Sequence, residues 1–131
     1  MLAAYYELNG AAREVLKVAE VATPVPAAGE VRVRLTASGV NPSDVKSRVG
    51  VIRKMPFPRV IPHSDGAGVI DQVGKGVDQG RVGQRVWIWN GQWMRPLGTA
   101  AQYIALPAAQ AVPLPAHIAD DAAACLGIPA L

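Results

Sequence analysis

The sequence has little cysteine, few aromatic residues and no long apolar run. Its single cysteine, Cys125, excludes an intrachain disulfide framework and a cysteine-rich zinc site, and it indicates a reducing compartment. No stretch approaches the ~20 apolar residues of a membrane-spanning helix, and no basic segment precedes an apolar run at the start. We therefore expect no membrane span, no signal peptide and a cytoplasmic location.

Clustered positive charge is also lacking. The formal net charge is +3, but the thirteen Lys and Arg residues are scattered, and aromatic residues make up only 5% of the chain. A nucleic-acid-binding surface needs a basic stripe interleaved with aromatic side chains, so we expect no nucleic-acid partner. With 131 residues, half of them apolar, the chain is long enough to form one domain with a core.

The sequence does contain a series of short strand patterns separated by Gly and Pro. The clearest runs from Glu30 to Thr36, where apolar and charged residues alternate strictly. Asn9-Gly10 is a hairpin-turn signal between an apolar segment at 2–8 and a partner strand at 15–21. Further strands are predicted over 66–73 and 99–106. These patterns predict a mainly β fold, an antiparallel barrel or sandwich, with a few short helices.

Helix signals are few. Asn41-Pro42-Ser43-Asp44 places an N-cap residue before a first-turn proline and an acid, which predicts a helix over 42–48 that ends at Gly50. A second short helix is predicted over 120–126. The last ten residues are apolar throughout, and we expect the natural chain to continue into a segment that packs on them.

The densest set of unusual residues surrounds His63, Ser64 and Asp65, and two glycines follow at Gly66 and Gly68. Sequence neighbours do not form a catalytic triad, which is assembled in space. Ser64 and Asp65 are therefore interpreted as satisfying backbone groups in a turn. The two glycines indicate a bulge or a close approach of the backbone.

Metal and phosphate sites find little support in the residue spacing. A catalytic zinc needs three protein ligands, but His63, His117 and Cys125 do not have the i, i+4 or Cys-x-x-Cys spacing of paired zinc ligands. We interpret His117 as solvated and Cys125 as a small core residue. Neither glycine-rich stretch, 66–68 or 74–76, completes a G-x-G-x-x-G pattern before a helix, so the chain carries no dinucleotide fingerprint.

Three tryptophans stand close together in the sequence, at Trp87, Trp89 and Trp93. They could line a pocket. Alternation along a strand would instead put one in the core and another on a covered face, and both interpretations stay open.

Five spaced blocks resemble the medium-chain dehydrogenase/reductase superfamily, and within it the zinc-free quinone oxidoreductases of the zeta-crystallin type. The blocks follow the family's order over nearly the whole chain, at 31–50, 64–74, 82–86, 98–103 and 126–129. The resemblance implies a catalytic domain shaped like a GroES-type β-barrel, followed by a Rossmann domain that binds NADPH. Residues 1–131 are then expected to be the first of these domains, incomplete, with the Rossmann domain lying beyond them.

The resemblance also implies a site. Asn41 and Asp44 would line the cleft where nicotinamide meets substrate, Ser64 would lie nearby, and Lys46 stands where many relatives have Tyr. The expected catalytic residues are these four. Hydride transfer to a quinone or enone builds negative charge on a carbonyl oxygen, which the Asn41 amide, the Ser64 hydroxyl, the Lys46 ammonium or a water could stabilise.

The resemblance further implies that zinc is not used. Zinc-dependent alcohol dehydrogenases carry their ligands where this chain has Asn41, Ser64 and Ile128, which are poor zinc ligands. No metal is expected. Asn41, Ile128 and Pro129 are expected to contact NADPH.

The expected function is the substrate-side domain of an NADPH-dependent, zinc-independent oxidoreductase that reduces quinones or α,β-unsaturated carbonyl compounds by hydride transfer. The isolated chain is expected to be inactive, and the parent enzyme to be a homodimer. Two alternatives stay open. One is another medium-chain reductase, either an enoyl reductase or an alcohol dehydrogenase, and the other is a stand-alone β-barrel used for binding or scaffolding.

Overall fold

The computed structural model describes residues 1–51 and 54–130 as an antiparallel, mainly β structure. Its strands are β1 (Leu2–Tyr5), β2 (Lys17–Glu20), β3 (Glu30–Gly39), β4 (Asp65–Val73), β5 (Arg85–Ile88), β6 (Tyr103–Pro107) and β7 (Ala111–Pro113). Its helices are α1 (Ala12–Val15), α2 (Pro42–Val49), α3 (Asp120–Ala123) and α4 (Gly127–Ala130), with 3-10 turns at Gln79–Arg81 and Ala108–Gln110. Within the described ranges, none of these helices combines the length and the apolar character that a membrane crossing requires.

The strands form two sheets. β1 and β2 pair with each other, and the larger sheet has the order β6-β3-β4-β5-β7, with every pairing antiparallel. The mainly β prediction is confirmed. A closed barrel is not found in the described part of the chain, because β6 and β7 form the two edges of the larger sheet and do not pair. β7 has three residues and includes Pro113, which has no N–H to donate to a ladder.

Strand β3 organises the core, because it pairs on both sides. The predicted strand at 30–36 is confirmed and extends to Gly39. Its apolar positions, Val31 and Val33, are fully buried, whereas Arg32 on the other face forms a bidentate ion pair with Asp71, with both N–O distances at 2.9 Å. Burying a valine side chain fully contributes about 1.5–3 kcal/mol to the stability of the fold. The buried cluster consists of Val31, Val33, Ile70, Val86, Ile88, Ile104, Leu106 and Ala111.

The predicted close backbone approach occurs at Gly68, where β4 passes β3. A Cβ at this position would collide with the main-chain carbonyl group of Arg34, which is held in the strand ladder. Gly68→Ala is therefore expected to lower the free energy of unfolding by about 2 kcal/mol. Gly80→Ala is the matched control, because its nearest neighbour is the side chain of exposed Asp78, and it should cost less than about 0.5 kcal/mol. Equal urea midpoints for the two variants would contradict the prediction.

The prediction of a hairpin turn at Asn9-Gly10 is wrong. β1 and β2 do pair antiparallel, but their connection contains helix α1, and neither Asn9 nor Gly10 has a positive φ. Asn9 instead donates from Nδ2 to the carbonyl oxygens of Ser47 and Arg48, at 3.1 and 3.0 Å. These carbonyls belong to the last turn of α2, and the Ser47 carbonyl also accepts from the N–H of the C-cap residue Gly50 at 3.1 Å. A contact with a distant segment has replaced the local turn.

Candidate active-site cleft

Helix α2 follows the predicted signals closely. It runs from Pro42 to Val49, and Gly50 ends it in the left-handed conformation with φ of 83°. Asn41 is the extended N-cap residue, and its N–H donates to the Asp44 carboxylate at 2.7 Å. A capping box has two hydrogen bonds, and this one joins the side chain of the third helical residue to the N–H of the N-cap residue. It fixes the Asp44 side chain at the helix N-terminus.

A cleft of about 350 Å³ opens beside this end of the helix. Three chain segments that are distant in sequence meet there, together with α2 itself. The lining residues are Ser43, Asp44 and Ser47 of α2, Ser64 before β4, Asn90, Gln92 and Trp93 after β5, and Ile128 of α4. Asp44 and Ser64, two of the expected catalytic residues, are each only 8% exposed.

The other expected residues take different places. Asn41 is 7% exposed and lies outside the cleft lining, with Nδ2 donating to the Asp65 carboxylate at 2.8 Å. Lys46 and Pro129 are exposed and are likewise outside the lining, whereas Ile128 belongs to it. The direct roles expected of Asn41, Lys46 and Pro129 stay predictions.

Asp65 is a central residue that was not predicted from the sequence. Its carboxylate is 1% exposed and accepts from Asn41 Nδ2 and from the main-chain N–H of Ile128, which lies 3.0 Å from both oxygens. It therefore joins the start of β4 to the N-cap of α2 and to α4. One sequence signal was available, since an acid inside an apolar, glycine-rich segment is rarely buried without partners.

A directed chain of hydrogen bonds supports the backbone beside Ser64. Thr99 Oγ1 donates to the Asp65 carbonyl at 2.6 Å, so Ser38 Oγ, 2.9 Å away, must donate to Thr99. Ser38 Oγ is then the acceptor for His63 Nδ1 at 3.0 Å, which places the proton of neutral His63 on Nδ1. Within this series of hydrogen bonds, the His63 ring bonds to Ser38 and not to Ser64 or Asp65. The three neighbours thus do not act as a triad.

Burial changes the acid–base properties of the cleft. The pKa of Asp44 is raised from its ordinary 3.8 to about 6, mainly by burial; the Asn41 N–H lowers it, and the nearby Asp65 charge adds a smaller increase. Burial also lowers the pKa of His63. A carboxyl group that titrates near neutral pH, in a cleft lined by hydroxyl groups, can exchange a proton with a bound carbonyl compound.

Metal ligands are sparse around the cleft. Among residues 1–51 and 54–130, no group of three or more His, Cys, Asp or Glu side chains is arranged to hold a metal ion. Of the three positions where the resemblance places zinc ligands, Ser64 and Ile128 line the cleft and Asn41 lies outside its lining, and all three offer poor zinc donors. Zinc independence stays a prediction, and metal analysis of the purified protein would test it.

Cys125 is exposed, so its interpretation as a core residue is wrong. The inward positions at the end of α3 are taken instead by its last residue, Ala123, and its C-cap, Ala124, which are 0% and 2% exposed. A run of alanines and one cysteine gives no periodicity from which the inward side can be predicted. His117 is exposed, as predicted.

The two interpretations of the tryptophans apply to different residues. Trp93 lines the cleft and is 61% exposed, so the pocket interpretation applies to it. Trp87 is partly buried against a second apolar cluster that contains Ala67 and Leu114. The inward positions of β5 belong to Val86 and Ile88 rather than to a tryptophan.

Known proteins resemble this chain in sequence and in structure. Residues 27–116 match the alcohol dehydrogenase GroES-like domain family. The chain is 33% identical over 117 residues to the quinone oxidoreductase of Rattus norvegicus, a match that covers 88% of this chain and 34% of that protein. It spans about a sixth to a third of the length of the curated relatives it matches.

Among solved structures, an alcohol dehydrogenase superfamily protein from Novosphingobium aromaticivorans is similar, with a TM-score of 0.86 and 35% identity. That match covers 98% of this chain and 38% of the other. A mycobacterial protein solved in complex with NADPH has a TM-score of 0.79 at 26% identity, covering 95% of this chain and 37% of the other.

Proposed function

This chain belongs to the alcohol dehydrogenase GroES-like domain family of the medium-chain dehydrogenase/reductase superfamily, and from this we propose that it is the substrate-side domain of a reductase. The proposed reaction is the NADPH-dependent, zinc-independent reduction of quinones or α,β-unsaturated carbonyl compounds. The observation that carries the proposal is the cleft beside α2. One buried carboxyl group and three serine residues line this single cleft.

The residues of this chain fit only the reactive end of NADPH. The sequence has no glycine-rich phosphate cradle, so the phosphates would bind to a further domain. Ile128 lines the cleft, and we propose that it contacts the nicotinamide ring together with the adjacent Pro129. A similar solved protein binds NADPH, which supports this choice of cofactor. When bound, NADPH supplies the hydride.

The side chains in the cleft would stabilise the product of hydride addition. When an enone accepts a hydride at its β-carbon, or a quinone accepts a hydride, negative charge develops on a carbonyl oxygen, which the hydroxyl groups of Ser43, Ser47 and Ser64 would stabilise by hydrogen bonds. Ser43 lines the cleft, and its Oγ is buried with no hydrogen-bond partner among the described residues. Asp44 would supply the proton that, together with the hydride, completes the saturated carbonyl compound or the hydroquinone. Asn41 would act by holding Asp44 and Asp65 in place.

The proposal predicts that Ser64→Ala, in the full-length protein that carries this domain, lowers kcat/KM for quinone reduction at least about tenfold. The assay follows the loss of NADPH absorbance. Lys46→Met, on the exposed face of α2, should change the rate by less than about twofold, and a loss as large as that of the Ser64 variant would establish the role predicted for Lys46 instead.

A substrate panel separates the proposal from its alternatives. Turnover of alcohols with an oxidised nicotinamide cofactor, and none of quinones or enones, would identify an alcohol dehydrogenase. Turnover of acyl thioesters would identify an enoyl reductase. Inactivity on every substrate would overturn the proposal and favour the binding module.

A further inference from the structure

Asp44 is the ionisable side chain among the described residues that line the cleft. Of the described residues around the cleft, Asp44 carries a carboxyl group, while the others are serines, amides, one tryptophan and one isoleucine. We propose that Asp44 makes the cleft select neutral over anionic carbonyl substrates. This inference rests on the function proposed above, and it narrows the substrate class to uncharged planar quinones or enones.

Among residues 1–51 and 54–130, no ion pair neutralises the Asp44 charge. The ion pairs found among the described residues join Glu7, Asp71 and Asp120 to basic partners, and none includes Asp44. Asp44 accepts instead from the neutral N–H of Asn41. A buried, uncompensated carboxylate repels an anionic group of the ligand far more strongly than an exposed one would.

The surroundings of Asp44 strengthen this effect. Asp65 lies behind the cleft wall and adds a second carboxyl group whose charge acts on Asp44. Arg48, one turn further along α2, is 9% exposed, and its Nη1 donates to the carbonyl of Gly10 rather than to an acid. Arg48 and His63 share a second cavity of about 200 Å³ with Asp44, and neither of them is among the lining residues of the cleft.

The remaining lining suits a flat, uncharged ligand. Trp93 and Ile128 offer apolar surface to a ring system, and the serine hydroxyls and the amides of Asn90 and Gln92 offer hydrogen bonds to carbonyl oxygens. A volume of about 350 Å³ accommodates a fused bicyclic or tricyclic quinone.

The experiment compares two substrates that differ mainly in charge, 2-(hydroxymethyl)anthraquinone and anthraquinone-2-sulfonate. At pH 8 and low salt, the full-length enzyme should favour the neutral compound in kcat/KM by at least about tenfold. Asp44→Asn should bring the ratio to within about threefold. Glu20→Gln removes one exposed negative charge on β2, outside the cleft lining. It should have the same ratio of kcat/KM values as the wild type.

Two further measurements keep the test decisive. Calorimetric titration of this 131-residue chain with each compound gives the ratio of binding constants without turnover. The preference should also shrink below pH 6, where Asp44 becomes protonated, and this change should be absent in Asp44→Asn, which separates it from protonation of His63.

The outcomes distinguish the two proposals. If neither compound nor any enone is reduced, the proposed function fails, and the binding ratio still decides the charge selection. Equal preference for both compounds in the wild type, or a preference that Asp44→Asn leaves unchanged, would overturn the inference.

Discussion

Asp65→Ala is expected to lower the free energy of unfolding by roughly 3–5 kcal/mol. The carboxylate is 1% exposed and is the acceptor for both the Asn41 side-chain amide and the Ile128 main-chain N–H. Removing it leaves the buried Asn41 amide without its acceptor and releases α4 from the sheet, and each lost bond to a charged acceptor costs about 1.5–3 kcal/mol. Urea denaturation measures the loss, and faster hydrogen exchange at Ile128 would locate it.

Two variants control this prediction. Asp71→Asn changes an acid on the same strand whose partner, Arg32, is part-exposed, and it should cost less than about 1 kcal/mol. Asp65→Asn keeps one acceptor oxygen and should fall between the two. If Asp65→Ala were as stable as Asp71→Asn, the central role of Asp65 would be refuted.

Asp44→Asn is expected to remove a pH dependence of stability of about 3 kcal/mol. Burial raises the pKa of Asp44 from its ordinary 3.8 to about 6. Between these values the folded chain binds more protons than the unfolded chain, so stability is fully present below pH 3.8 and is lost as the pH rises through about 6. The asparagine oxygen can still accept from the Asn41 N–H, so the helix cap is retained.

The measurement is the free energy of unfolding of both proteins at pH 4 and pH 7. As the pH rises from 4 to 7, Asp44→Asn should become more stable relative to the wild type. Glu20→Gln, at an exposed position on β2, should follow the wild type at both. A constant difference between Asp44→Asn and the wild type would show that the carboxyl group is not desolvated in solution.

Local chemistry explains which features could be predicted from the sequence. The start of α2 and its end at Gly50 depend on residues within one helical turn of each other, and both predictions are confirmed. Strict alternation over 30–36 likewise predicted β3, because one face of the strand is buried. The close approach at Gly68 followed from the absence of a side chain within a strand pattern.

Long-range contacts explain the rest. Asn9 would form a turn if its neighbours alone decided its conformation, but its amide reaches carbonyls 38 and 39 residues away. Asp65 meets partners 24 and 63 residues away, and no short pattern relates those positions. The cleft was inferred from a family resemblance for the same reason, since Ser64, Trp93 and Ile128 come together only in the folded chain.

The bond between Asp65 and residue 128 has a consequence for redesign of the cleft. Because Asp65 accepts from the main chain, the anchor does not depend on the side chain at position 128, and any residue except proline can supply it. The neighbouring Gly127 has no such freedom, since a Cβ there would collide with the Asp65 carboxylate. Position 128 therefore combines a fixed backbone with a replaceable side chain on the cleft wall. Saturation mutagenesis at this single codon can reshape the ligand space while the fold retains its anchor.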